Sequence, residues 1–168
     1  MAPKNNVSSV AIVMGSDSDL PVMQNCIDQL KAFGIDPLVR IISAHRTPEI
    51  AATFADSAAE NGIKVIIAAA GMAAHLAGAL AARTALPIIG VPLVASEGPA
   101  GLDALLSTVQ MPPGVPVATM ALGKAGAKNA AIFAIQILAL TDNAFADKLT
   151  KFRKTQSEKV IRKDSTLP

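Results

Sequence analysis

Both histidines of this chain lie in short polar or small-residue loops that follow β-branched runs. His45 sits in Ser43-Ala44-His45-Arg46-Thr47-Pro48, and His75 closes Ala70-Gly71-Met72-Ala73-Ala74-His75-Leu76. A third loop, Gly15-Ser16-Asp17-Ser18-Asp19, follows the first such run. An imidazole titrates near neutrality and can both give and take a proton, so His45 beside the forked cation Arg46 reads as a general acid/base. Ser16 and Ser18, with free backbone N–H groups at a helix start, suit a phosphate. Asp17 and Asp19 would repel that phosphate, so at least one must turn away, and a carboxylate there suits ribose hydroxyls. Each loop also has a plainer reading: Ser and Asp before a helix are usually caps, and a lone His is more often structural. His75, one turn into an apolar helix, either lines the site or satisfies a core hydrogen bond. The stretch Gly71–Leu76 has almost no side-chain polarity before His75, so a flat heterocycle there would be read by main-chain groups.

What must position these loops is an alternation of short β-branched runs and longer helical stretches. The runs are Ser9–Met14, Leu38–Ile42, Lys64–Ala68, Pro87–Val91 and Val115–Met120. The helices are Leu20–Phe33, Pro48–Glu60, Ala73–Arg83, Leu102–Gln110 and Ala127–Leu140. Gly34 and Asn61-Gly62 stand where left-handed C-caps belong, and Thr47-Pro48-Glu49 opens a helix with a capping hydroxyl, a first-turn Pro and an acid. Five βα units imply one α/β domain: a three-layer sandwich around a parallel sheet, with the flavodoxin-like order 2-1-3-4-5. Ligands in such sheets bind beyond the carboxyl ends of the strands where the order reverses, and the three loops follow the strands nearest that point. The core spans about residues 8–141. An extra C-terminal helix, about 143–164, carries most of the charge. The helix before it is apolar nearly all round and needs cover on every side. A neighbouring copy is one cover, which predicts a homo-oligomer with C-terminal segments in the contacts. The alternative is that the terminal helix folds back over its own domain.

Composition narrows the classes. Apolar residues make up 51% but aromatics only 3%, so the core is built from small aliphatic side chains and gains from association with further copies. The net charge is +2. Lys and Arg concentrate in the terminal helix, which has no Trp or Tyr and only Phe145 and Phe152 at apolar positions, and this argues against nucleic acid as a partner. The single cysteine, Cys26, forms no internal disulfide and suits a reducing, cytoplasmic setting. Val65 to Ala82 is nearly all apolar, but Gly71, His75 and Gly78 interrupt it, so it reads as a strand entering a helix and not as a membrane span. A P-loop, a dinucleotide fingerprint and a clustered zinc ligand set are all missing from the sequence. A phosphoacceptor receiver would need an Asp after the third strand, where this chain has Ala and Gly.

At the three loops, and at Gln110-Met111-Pro112 through Gly114-Val115-Pro116-Val117-Ala118-Thr119, the sequence resembles the class I PurE family, bacterial 5-(carboxyamino)imidazole ribonucleotide mutases of purine biosynthesis. The resemblance runs from about Val10 to Leu140. It implies a flavodoxin-like homo-octamer without metal or organic cofactor, in functional connection with the ATP-dependent synthetase that makes the carboxyamino substrate. By motif, His45 would be the acid/base. Ser16, Ser18, Asp19, Ser43, Ala44, Arg46, Ala70, Gly71, Ala73, Ala74, His75 and Leu76 would hold the ribonucleotide. Arg46 favours the mutase, since carboxylases that use carbon dioxide directly typically have Lys there. This chain departs from the family motif at Met72, usually Gly, and at Ala77, usually Pro, which bears on the shape of the ring-binding loop. The competing functions are a carboxylase using free carbon dioxide and a non-catalytic domain that binds phospho-ligands.

Overall fold

In a computed structural model that describes residues 8–95 and 98–167, β1 (Val10–Met14), β2 (Leu38–Ile41), β3 (Val65–Gly71), β4 (Ile88–Leu93) and β5 (Ala118–Thr119) form one parallel sheet. Its order is β2-β1-β3-β4-β5, so the chain reverses direction across the sheet between β1 and β3. β1 is buried on both faces, as its unbroken run of Val, Ala, Ile and Met requires, and β2 forms an exposed edge.

The two faces of β1 sort its residues by alternation. Val10, Ile12 and Met14 join the larger core with α1 (Leu20–Ala32) and α5 (Gly123–Ala139). Ala11 and Val13 face α2 (Pro48–Ser57) and α3 (Leu76–Ala81). On that second side α4 (Leu102–Val109) sets the methyl of its buried Thr108 over Gly90 of β4. Helix α1 ends in a left-handed glycine at Gly34 (φ 88°), with the Ile35 N–H donating back to the Leu30 carbonyl at 3.0 Å.

The terminal helix α6 (Asn143–Asp164) starts where the Asp142 carboxylate accepts the Ala144 N–H at 2.9 Å. Its first half folds back on its own chain: Phe145, Leu149 and Phe152 pack on the larger core, with the Phe152 ring 5.4 Å from that of Phe33. Lys148 donates to the Phe33 carbonyl at 2.6 Å, placing a cation at the negative end of α1. Beyond Phe152 every described residue is exposed. The fold-back alternative therefore describes the first half of the helix, and only the second half is free of its own core.

Against expectation α2 ends at Ser57 and not at Glu60, β4 reaches Leu93 and not Val91, and α5 begins at Gly123 and not at Ala127. Three further boundaries differ for reasons the packing shows. β3 runs on to Gly71, because β4 continues to pair with it as far as Leu93. α3 begins at Leu76 and not at Ala73, since the His75 N–H turns to the Ala73 carbonyl at 2.8 Å. β5 keeps two paired residues of the six predicted, Ala118 and Thr119, and Pro116 in the first half of that run offers no N–H to a ladder.

Candidate active site

The three loops meet. Beyond the carboxyl ends of β1, β3 and β4 lies an open cleft of about 780 Å³. Its walls include Gly15, Ser16, Ser18, Asp19, Ser43, Ala44, His45 and Arg46, and across from them Ala70, Gly71, Met72, Ala73, His75 and Leu76. Main-chain bonds stitch the loops to neighbouring strands: the Gly15 N–H donates to Ala69 O at 3.1 Å and the Ile42 N–H to Met14 O at 2.8 Å.

The His45 loop is closed by Thr47. Its hydroxyl accepts the Ser43 N–H at 3.0 Å and donates to the Ser43 carbonyl at 2.9 Å. The sequence predicts that this hydroxyl caps α2, but it makes no such bond. The turn back to Ser43 takes the oxygen instead, and His45 and Arg46 stand in the cleft wall between its two ends. Arg46 reaches back across the loops, with Nη2 donating to Gly15 O at 2.9 Å and Nε to Ser43 Oγ at 3.4 Å.

His75 is not one turn inside a helix; it is the residue before α3. That position brings its Nδ1 to 2.9 Å from Nε2 of His45, the rings nearly perpendicular at 84°. A single hydrogen fits between these nitrogens, so each ring fixes the tautomer of the other. Two imidazoles linked through one hydrogen can take up a proton at one point and release it at another.

The phosphate-type turn is more occupied than its sequence implies. In the 3₁₀ turn Asp17–Asp19, the Ser16 N–H donates to Asp19 Oδ2 at 3.0 Å, and the Ser18 N–H donates to Ser16 Oγ at 3.3 Å and to Asp17 Oδ1 at 3.1 Å. These backbone donors are not free, because the carboxylates and Ser16 form a capping box around them. What remains for an anion is the hydroxyls of Ser16 and Ser18, the Arg46 guanidinium and the histidine pair. Of the two acids, Asp17 is exposed and lies outside the cleft wall, and half-buried Asp19 belongs to it. Removal from water raises the Asp19 carboxyl pKa, against the lowering effect of backbone hydrogen bonds at Ser16 and Gly15 and of nearby Arg46.

Ala74 does not join the wall. It is only 2% exposed and packs beneath the loop, because the turn before α3 points alternate residues inward. The cleft also takes in Leu93, Val94 and Ala95 at the end of β4. The strand order makes β4 the neighbour of β3, and its terminal residues could have been added on that ground alone. Their side chains carry no chemistry that would have singled them out.

The ring-side loop is shaped by two backbone constraints. A Cβ on Gly71 would stand 3.2 Å from the Leu93 carbonyl oxygen, so a side chain there would push the loop and β4 a few tenths of an ångström apart. Met72 then takes φ 56°, the left-handed region. For a residue with a side chain this costs roughly 1–2 kcal/mol. Among the described residues no three His, Cys, Asp or Glu side chains gather as a metal site.

Fold and cleft together describe a nucleotide-type α/β enzyme framework, and comparison with known proteins makes the class specific. The chain belongs to the AIR carboxylase family, whose model matches residues 9–159. It is 50% identical over 161 residues to the N5-carboxyaminoimidazole ribonucleotide mutase of Escherichia coli K12, covering 96% of this chain and 95% of that protein. The protein of the same name from Brucella melitensis is 53% identical over 156 residues, covering 93% and 96% of the two chains. Among solved structures, Treponema denticola PurE superimposes with a TM-score of 0.82 at 32% identity, over 94% of this chain and 97% of that one. The family resemblance carried by the loops thus extends over nearly the whole chain.

Proposed function

We propose that this chain is an N5-carboxyaminoimidazole ribonucleotide mutase, moving a carboxylate from the exocyclic nitrogen of an aminoimidazole ribonucleotide to ring carbon C4 in purine biosynthesis. The observation that carries the reading is the 2.9 Å contact between His45 and His75 inside the family's cleft, in a chain half identical to proteins of that name. Arg46 and the Ser16 and Ser18 hydroxyls are suited to the phosphate, and Asp19 to the ribose. Ser43 and Ala44 back the His45 turn. Ala70, Gly71 and Ala73 offer main-chain groups to the ring, with Leu76 beneath and Ala74 supporting the loop from below.

The reaction balances without an outside proton. The N–CO₂ bond breaks, its electron pair stays on nitrogen, and that nitrogen takes a proton from the histidine pair. Carbon dioxide is left beside the ring. C4 attacks its carbon, the new C–C bond forms, and the C4 hydrogen passes as a proton to His45, restoring the pair. His75 holds His45 in the tautomer that can do both. Confinement of carbon dioxide against C4 replaces a bimolecular encounter.

Among the described residues no helix is long and apolar enough to cross a membrane. With the buried, unpaired Cys26, this supports a cytoplasmic enzyme. We read the chain as one domain, its core at 8–141 and helix 143–164 in contacts between copies of a homo-octamer. A functional link to the ATP-dependent synthetase upstream follows from the lability of its carboxyamino product.

The test is turnover of the carboxyamino ribonucleotide in buffer free of added bicarbonate, followed by the absorbance of the C4-carboxylated ring. Wild type converts it. His45→Asn lowers kcat by about 10²–10⁴-fold with KM changed only a few fold. Turnover of the aminoimidazole ribonucleotide with bicarbonate, and none of the carboxyamino compound, would establish a carboxylase instead. Binding without conversion of either would leave a phospho-ligand-binding domain.

A further inference from the structure

Met72 is costly where it stands. It is one of two non-glycine residues with left-handed φ among those described, the other being Ala100. Nothing in packing offsets this, because its side chain is 63% exposed. Glycine would fit the backbone without strain, so the conflict points to a role for the side chain. That side chain lies on the wall of the cleft, between the close-packed Gly71 and the turn carrying His75.

Most of the wall is made of Gly, Ala and Ser, which cannot cover anything. Of its four bulky apolar side chains, Leu76 and Leu93 are locked in the core at 3% and 4% exposure. Met72 and Val94 remain free to move, at 63% and 54%. Val94 is β-branched and stiff at χ1. Met72 is unbranched, with rotatable bonds out to a polarisable sulfur that packs well on flat rings. Among the described residues of the wall it alone combines reach, flexibility and an exposed apolar surface.

We propose that Met72 folds over the bound aminoimidazole and retains the carbon dioxide released there until C4 has captured it. This rests on the mutase reading above. An apolar cover suits that role, since carbon dioxide has no net charge or dipole for the polar wall to hold, and water admitted beside it would open an exit. Met72 would thus be a residue that sets commitment, the share of released carbon dioxide that ends on C4 instead of in solution. The chemistry itself would stay with the histidine pair.

The experiment uses the full chain, unlabelled carboxyamino ribonucleotide and ¹³C-bicarbonate equilibrated with dissolved carbon dioxide, after subtraction of the reaction without enzyme. Two products are counted by mass: ¹³C in the C4 carboxylate, and free aminoimidazole ribonucleotide. Wild type incorporates little label. Met72→Gly, which relieves the left-handed backbone and so does not threaten folding, raises label and free amine severalfold. Met72→Leu, keeping apolar bulk, returns both most of the way to wild type. Equal label and amine in wild type and Met72→Gly would overturn the proposal. So would a change in oligomer mass for Met72→Gly by light scattering with unaltered partition, which would make Met72 a contact between copies. A wild type that converts no carboxyamino substrate would instead overturn the mutase reading, a separate and recognisable result.

Discussion

Asp19 sits where a capping role and a ligand role meet, and its titration reflects both. Desolvation raises its carboxyl pKa above the ordinary 3.8, against the pull of its backbone hydrogen bonds and Arg46. The sign for stability follows from linkage. Between the ordinary value and the raised one, the folded chain holds a proton that the unfolded chain has released. Asp19 therefore favours the fold most below that window, and its contribution falls as pH rises through it. Asp19→Asn keeps an oxygen able to accept the Ser16 N–H but removes the titration. Urea midpoints of mutant and wild type, compared from about pH 3.5 to 6, should diverge in favour of the mutant as pH rises and then run parallel. A constant difference would contradict the desolvation account. In the proposed substrate complex the same substitution removes an anionic acceptor, so KM should rise roughly tenfold, the equivalent of about 1.4 kcal/mol.

At the scale of elements, the cleft depends on helices that approach the sheet closely. α5 is the clearest case: a Cβ on Gly126 would lie 1.6 Å from the carbonyl oxygen of Ala121, so the helix start is pressed against the segment leaving β5. Ala127, Ala130, Ala131 and Ala134 continue that close face toward the larger core. Gly126→Ala should cost roughly 1–3 kcal/mol by overpacking, read as a lower urea midpoint at unchanged slope. An unshifted midpoint would mean that the Ala121 segment yields freely. On the other face the turn that follows the short α3 is tied to α2 by the forked pairing of Arg83 with Asp56, Nε donating to Oδ1 at 3.0 Å. As an exposed pair it contributes little to stability, but it joins the helix after His75 to the helix after His45.

For the whole molecule, exposed apolar surface is the dominant fact. Leu38 and Ile50 line an open groove of about 390 Å³ along the edge strand β2, Ile41 of the same strand is exposed, and Leu140 is 84% exposed. The projecting end of α6 carries Val160 and Ile161 at 67% and 64% exposure. Exposed apolar side chains in this number on a small chain are what association covers. Replacing Val160 and Ile161 together by Asp should reduce the proposed homo-octamer to smaller species by light scattering, with far-UV circular dichroism unchanged, since neither residue belongs to its own core. Retention of the full mass would remove this helix end from the contacts.

The layer order, the parallel sheet and the convergence of three loops were legible from local signals alone. Apolar periodicity, Gly34 past a helix and Pro48 at a helix start each act within a few residues, and the reversal of strand order follows from five βα units in series. Ser16, Asp19, His45 and Arg46 could be chosen for the same reason: their types and their place after strands carry the chemistry. Other features depend on partners far away in the chain. The contact of His45 with His75 spans thirty positions, and the left-handed turn at Met72 exists because β4 holds Gly71 against Leu93. Thr47 closing its own turn, the capping box that occupies the Ser16 and Ser18 N–H groups, and Ala74 turned inward are choices between equivalent local bonds. Only packing decides among those, because the competing arrangements differ by no more than about a single hydrogen bond until the rest of the structure is in place.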